Sequence, residues 1–485
     1  MPVAGLDTSA VSLPTVSIPA LPSLTLSETE VATMNALIAQ ATFERLELLS
    51  TQVYYLAQQE ITNLKIAIPD ELADKLRTLV GWAAIAVDPY VERLSVEGFR
   101  LPGETDVNQD LADLWDGNRL AAEQSLAFTD ALSMRRAYWT VGSGDSPGDL
   151  PRICVESPLN MAVRWNLRGD MARDALRWFE VDGRPHIMLE TLTQSTHMAR
   201  NDQGAWEVVD RDVHNFGFVP VVRMANNPLT MARGGRSEIT PALISIIDSA
   251  CRRLLGLEVA SELYSAPQKL ILGATEADFQ DSAGATKSAW TTYITSLLAL
   301  ERDEDGNVPE VHQFQVYDPA VFTKVIEMYA SQAAGILAAV PQDLGLYTDG
   351  NPTSADSWDA METRRNRKAI RKQAIFGSAL VEVMQMAQRF LNGGRLPEQF
   401  KRMAVDWMPP SMPSLAQTAD PVTKLIAAGA LPARSDVTLK RAGFSAVERA
   451  QIEQDWLEQD GRTALEQIRV GLTAPKPAPA DANAG

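Results

Sequence analysis

Nucleophiles, acid–base groups and metal ligands are the first residues to test for chemistry, and in this chain they are sparse. His186, His197, His214 and His312 are the only histidines in 485 residues, and no two stand at i, i+4, the spacing that offers two imidazoles to one metal. Cys154 and Cys251 lie far apart in apolar contexts and read as two buried thiols of a reduced compartment rather than a disulfide. No Gly-x-x-x-x-Gly-Lys-Ser/Thr loop offers amides to a nucleotide, and no Gly-x-Ser-x-Gly turn presents a serine nucleophile. Asp303-Glu-Asp-Gly-Asn starts like a calcium loop but lacks its spacing and closing Glu, so a solvated turn is expected. The pairs Asp110/Asp113 and Asp170/Asp174 read as exposed helix or turn charges. The expectation is a protein that is not an enzyme and needs neither cofactor nor metal.

One charge cluster stands out. Arg364, Arg365, Arg367, Lys368, Arg371 and Lys372 place six cations in nine residues without an acid. On a helix such a run covers more than one face, so it pairs with acids of a neighbouring segment or subunit, or it meets DNA. The net charge of −18, from 44 basic and 62 acidic side chains, argues against tight duplex binding, which gains affinity by neutralising phosphates. It leaves open a channel through which DNA slides without sticking.

The elements that must position these residues are mainly helical, with one β region. At 485 residues and 45% apolar composition the chain exceeds one ordinary core and is rich enough to bury several. Residues 1–26 are Pro/Ser/Thr-rich and read as an extended arm. No Lys or Arg precedes Arg45, which argues against a signal peptide, and no run reaches the length of a membrane span. Ser27-Glu-Thr-Glu30 is a capping box. It opens a long helix through Val31, Met34, Ile38, Ala41, Leu46, Leu49, Val53 and Leu56, and a second helix is expected over about 108–137. Between about 138 and 224 the period falls to two; Asp182–Gly183 predicts a hairpin, and Asn201 to Gly204 another turn. Thr240–Pro241 starts a helix whose face carries Ile244, Ile247, Cys251, Leu254 and Glu258. A strand is expected at Lys269 to Leu272, a helical piece from Trp290 to Leu300, and a turn at Asp305–Gly306. An Ala-rich helix over 319–340 stops at Pro341, a Gly/Asn/Pro loop follows, and a long helix runs to about 391. Pro-rich 408–413 links to a helical section over 414–470, and the Pro/Ala tail reads as disordered.

Several segments, in order, resemble the portal family of tailed bacteriophages, in the form common among phages of actinobacteria. They are Arg93-Leu-Ser-Val-Glu-Gly-Phe99, Trp115-Asp-Gly-Asn118, Ser157–Pro158, Ala175-Leu-Arg177 and Val219-Pro-Val-Val222. Gly235-Arg-Ser-Glu-Ile239, Ala266-Pro-Gln268, Val340–Pro341, Leu344–Gly345, Asn351-Pro-Thr-Ser-Ala-Asp356 and Glu362 continue the series. One departure is visible. Relatives tend to carry a Gly soon after the position of Tyr54–Tyr55, whereas Leu-Ala-Gln-Gln follows here and the helix is expected to continue.

The resemblance implies an α+β, mainly α architecture. It divides the chain into an arm (1–26), a wing (27–236), a first stem helix (237–266), a clip (267–318) and a second stem helix (319–340). A tunnel loop (341–355), a long helix returning to the wing (356–407), a crown (408–470) and a tail (471–485) complete it. It implies a ring, usually of twelve subunits, at one capsid vertex, with double-stranded DNA passing through without sequence-specific binding. The terminase large subunit, head-completion or adaptor proteins, and major capsid and scaffolding proteins are the implied partners; no membrane is involved. The setting would be the virion, and the host cytoplasm during assembly. On this resemblance Gln342, Asp343, Asp349, Asn351, Thr353 and Ser354 face the channel. Trp290, Glu301, Asp303, Glu304 and Asp305 form a docking clip for terminase. Ala330, Ala334 and Gly335 pack the stem. A metal-dependent hydrolase and a shell-decorating scaffold protein are the alternatives from other classes.

Overall fold

The computed structural model describes residues 26–61, 78–265, 269–272, 310–313, 319–345, 355–411 and 415–473, apart from short breaks at 105–106, 145, 147, 167, 169–170 and 445. The chain divides into two compact units, Met1–Trp407 and Met408–Gly485. The first holds nearly all of the described apolar core.

Helix α1 (Glu28–Tyr55) begins with the expected capping box: the Ser27 amide donates to the Glu30 carboxylate at 2.7 Å, and the Glu30 amide donates to Ser27 Oγ at 3.3 Å. Met34 and Leu37 bury against Leu176, Ile187, Leu189, Met198 and Trp206 in a small core of their own. Leu46, expected on the same stripe, is 57% exposed. Twelve residues beyond Met34 the helix has turned it about 120° away, and Leu48 and Tyr54 are buried instead. The helix also stops where continuation was expected. Ala57 adopts φ 51°, and the Gln58 amide closes back on the Val53 carbonyl at 2.9 Å, a left-handed termination that glycine usually provides.

After a short helix α2 (Asp88–Val91), the single helix expected over 108–137 proves to be two, α3 (Gln109–Gly117) and α4 (Leu120–Ser133). Asn118 makes the break. Its side chain donates to the carbonyls of Leu114 (3.0 Å) and Pro151 (2.9 Å) and accepts from the Ile153 amide (2.9 Å), and Arg119 sits at φ 55°. An amide side chain competing for backbone groups ends a helix in this way. Leu126, placed on the buried face by periodicity, is 58% exposed, and residues 136–137 already belong to a strand.

The β region is antiparallel, as its alternation predicts. Strands β4 (Met161–Trp165), β5 (Ala172–Val181), β6 (Arg184–Glu190), β7 (Ser195–Arg200) and β8 (Trp206–Asp212) form one sheet in chain order. Strand β2 (Arg136–Gly142) lies between β3 (Arg152–Glu156) and β9 (Val221–Ala225) in a second, and β1 (Val96–Arg100) pairs with β12 (Ala404–Trp407). Val181 faces Arg184 across the hairpin, with Asp182 at φ 50° and Gly183 at φ 75°, the double left-handed turn that an Asp-Gly pair favours. Two expectations fail here. Asp174 is buried and bound by Arg164 at 2.5 Å, because it points inward from β5, and Cys154 is exposed on β3 rather than buried. Both thiols are free.

Helix α5 (Pro241–Ser265) starts where Thr240 Oγ accepts from the Leu243 amide at 3.3 Å. Its buried face is Leu243, Ile247, Ala250, Cys251, Leu255 and Val259; Ile244 lies beside it, and Glu258 is exposed. Strands β10 (Lys269–Leu272) and β11 (Glu310–Gln313) pair antiparallel beyond it, and α6 (Ala320–Leu337) packs against α5. The expected helix from Trp290 and the turn at Asp305 lie outside the described residues. Helix α7 (Ala355–Leu391) then runs 37 residues along β9, β2 and β12. In the second unit, the helical section expected over 414–470 is three helices, α8 (Leu415–Ala427), α9 (Asp436–Ala442) and α10 (Ala446–Thr473); the last runs past the expected start of the tail at 471.

Candidate functional site

The basic run falls on α7, and the two sides of that helix treat its cations differently. Arg365 and Lys372 point into the first unit and are buried, whereas Arg364, Arg367 and Arg371 are exposed and Lys368 is half-buried. A helix with this sequence must bury part of the run, because Ala369 and Phe376, both fully buried, lie on the same side as Arg365 and Lys372.

The inward cations close a network around Tyr90. Arg365 donates to Asp343 at 2.5 Å and to Glu362 at 3.3 Å. Glu362 also receives Arg93 at 2.9 Å, and Arg93 reaches the Pro89 carbonyl at 2.7 Å. Lys372 Nζ binds the Glu238 carboxylate and the Asn226 side-chain carbonyl, the latter at 2.9 Å, and lies 5.1 Å from the Tyr90 ring centre. The Tyr90 hydroxyl donates to the Leu337 carbonyl at 3.4 Å. Burial, with Glu238 nearby, pushes the Tyr90 phenol up to about 12, so it stays a neutral donor. Burial raises the Glu238 carboxyl, but the Lys372 charge and the hydrogen bonds from Lys372 and Asn226 outweigh it and hold the group below 4.5.

This network ties together segments distant in sequence. Asp343 stands before residues 346–354 and Arg365 after them, so their ion pair clamps the base of that connection. Helix α6 ends at Leu337 with Ala338 at φ 56°, and Pro341–Leu344 forms a short 3-10 turn that carries Asp343. Gly235 supports the other end. Its φ is +88°, and a Cβ there would stand 2.2 Å from the Arg135 carbonyl oxygen, so only glycine fits. That close approach lets the Arg236 amide reach the Asn226 carbonyl at 2.8 Å and sets Glu238 against Lys372.

The expected site residues fare unequally. Arg365 and Lys372 are bound within the chain, so neither is free for DNA or for a neighbouring subunit, and Asp343 is already neutralised by Arg365. Gln342 is half-buried in the 3-10 turn. Ala330 and Ala334 are buried within the chain's own core, 1% and 7% exposed, whereas Gly335 is exposed with open space at its Cβ position. Asp349, Asn351, Thr353 and Ser354, and Trp290, Glu301, Asp303, Glu304 and Asp305, lie outside the described residues. Sequence reasoning missed the joint itself: Tyr90, Asn226 and Glu238 carry no catalytic pattern. The basic run itself and the segments from Arg93, Gly235 and Glu362 were its only signals. It also missed a cross-strand contact, His186 Nδ1 to His197 Nε2 at 2.8 Å, because strand register is needed to see it. His197 lines a cavity of about 330 Å³ with Cys154, Glu190, Asp210 and His214, but no three His, Cys, Asp or Glu among the described residues are placed to hold a metal.

The fold is α+β, mainly α, with a joint of ion pairs that ties its distant segments together, and its relatives give its class. The family described as phage portal protein, SPP1 Gp6-like, matches residues 36–463, and the chain belongs to that family. It is 32% identical over 425 residues to the portal protein of Mycobacterium phage D29, covering 86% of each chain, and 32% identical over 433 residues to that of Mycobacterium phage L5, again with 86% of each covered. A chain of a solved structure titled "Neck of native GTA particle computed with C12 symmetry" is similar over 82% of this chain and 93% of that one, with a TM-score of 0.44 and 14% identity. Portal proteins are structural components of the virion at the capsid vertex. Among the described residues no helix is long and apolar enough to cross a membrane.

Proposed function

We propose that this chain is the repeating subunit of a closed ring, of twelve copies, whose central channel carries double-stranded DNA into and out of the capsid. The ring is assembled in the host cytoplasm and retained in the virion. It carries no enzymatic activity and needs no cofactor; the energy for movement comes from a terminase that docks on it. Head-completion or adaptor proteins later take the terminase's place, and capsid and scaffolding proteins surround the wing.

The observation that carries this reading is the succession of helix α5, the antiparallel pair β10 and β11, and helix α6. It is followed by a clamped turn and a single helix long enough to run back across the β sheets. It supports assigning 27–236 to the wing, 237–266 and 319–340 to the stem, 267–318 to the clip, 341–355 to the tunnel loop, and 356–407 to the returning helix. The second unit, from Met408, is assigned to the crown. On this assignment Asp349, Asn351, Thr353 and Ser354 face the channel. Trp290, Glu301, Asp303, Glu304 and Asp305 belong to the terminase-docking clip, where exposed acids would be screened by salt.

Negative-stain electron microscopy of the purified protein tests the ring. Annular particles with a central hole are expected; uniformly small globular particles at all protein concentrations would overturn the reading.

A further inference from the structure

With Arg365 and Lys372 held in the joint and half-buried Lys368 lying 6.0 Å from the Tyr90 ring centre, three cations of the α7 run remain unaccounted for. Arg364, Arg367 and Arg371 stand at i, i+3 and i+7 on one helical face, all exposed, and none forms an ion pair with any described residue. No acid occurs in the sequence between Glu362 and Glu382, so this stretch of the helix supplies its outer face with no counter-charge of its own. In a chain of net charge −18 an exposed stripe of one positive sign is out of character. The inner cations of the same run are matched by acids of the chain itself, Asp343, Glu362 and Glu238.

A mirror image exists on another helix of the same unit. Helix α3 (Gln109–Gly117) carries Asp110, Asp113 and Asp116, all exposed, and no Lys or Arg. Asp113 accepts only from Gln109 of its own helix, at 2.7 Å, and none of the three is ion-paired to a described residue. Leu111, Leu114 and Trp115 fix the opposite side of α3 in the core, so the acidic row cannot turn inward. Each row spans two turns, about 10 Å at 1.5 Å per residue, and each offers three charges of one sign.

We propose that the Arg364/Arg367/Arg371 row of one copy docks on the Asp110/Asp113/Asp116 row of the next, forming an electrostatic seam between subunits. This rests on the ring reading above. Two different patches on one chain that complement each other make a head-to-tail contact, the kind that closes a ring. The overall acidity favours a protein partner over a polyphosphate: a chain with 62 acids supplies the counter-charge itself, and its field opposes a nucleic acid. Exposed pairs of this kind set partner register and are weakened by salt.

Charge reversal tests the seam. The measurement is light scattering after size-exclusion chromatography, at low and high salt, with circular dichroism as the folding control. It compares wild type, R364E/R367E/R371E, D110K/D113K/D116K and the six-site combination. Each triple variant should keep its helix signal and lose assembly by about tenfold or more at low salt, three exposed pairs acting together. The six-site combination should regain it, which loss of folding could not produce. Triple variants that assemble like wild type would overturn the seam while leaving the ring intact. A wild type that never assembles would instead overturn the ring reading, and the six-site rescue would have nothing to restore. Assembly unchanged in R364E/R367E/R371E, with loss of binding to a short DNA duplex, would identify the row as a nucleic-acid contact and overturn the seam.

Discussion

The inner and outer sides of helix α7 carry the same residue types a few positions apart, yet they do different work. Inward, Arg365 and Lys372 are 8% and 3% exposed at their side chains and spend their charge within the chain, holding the turn after α6 and the Gly235 segment against the helix. Outward, Arg364, Arg367 and Arg371 form no ion pair with any described residue. Charge density alone therefore says little about partners; burial and the acids brought alongside decide what a cation does.

The contrast is broken most severely by removing an inner acid. Glu238→Ala leaves the buried Lys372 without its carboxylate, with only the Asn226 carbonyl and the Tyr90 ring beside it, and should cost about 3–5 kcal/mol, read by chemical denaturation. The wild-type pair also has a pH signature. Because the Glu238 carboxyl is held below 4.5 when folded, its contribution is complete above that value and is lost as pH falls through the folded pKa. Stability of wild type and Glu238→Ala should converge at low pH.

A half-buried acid without a cation sharpens the comparison with the opposite sign. Burial raises Asp130 to about 6, against only a Ser157 hydrogen bond. Its ionised form is a burden at neutral pH that fades as pH falls through about 6 toward 3.8. Asp130→Asn should stabilise by about 2 kcal/mol at neutral pH and by nothing in acid, measured by thermal melting across a pH series.

Much of this arrangement was legible in advance where a local rule governs. The capping box at Ser27 and the Asp182–Gly183 hairpin depend on a few adjacent residues and came out as read, whereas the helix expected to run to Pro341 ends at Leu337, where Ala338 turns left-handed. Two failures share one cause. Asn118 broke a helix by bonding to Pro151 and Ile153, and Asp174 found Arg164 on a neighbouring strand. Each outcome was set by a residue distant in sequence or by tertiary packing. The joint was half visible: the basic run announced itself, but its acids are drawn from positions 238, 343 and 362 and only folding brings them together.

Smaller effects complete the contrast. Arg365→Ala frees Asp343 and Glu362, which are 29% and 24% exposed and reach water, while Arg93 still holds Glu362. A loss of about 1–2 kcal/mol is expected in the same denaturation assay. Arg367→Ala, on the outer side, should leave monomer stability within about 0.5 kcal/mol of wild type.

The central claim, that this portal-family chain closes into a ring, is tested most directly by native mass spectrometry of the wild-type protein over a concentration series. One discrete mass is predicted, a fixed integer multiple of the 53.0 kDa chain that does not grow with concentration. A ladder of masses lengthening with concentration would mean an open chain of subunits, and a lone monomer peak throughout would mean no ring; either contradicts the account.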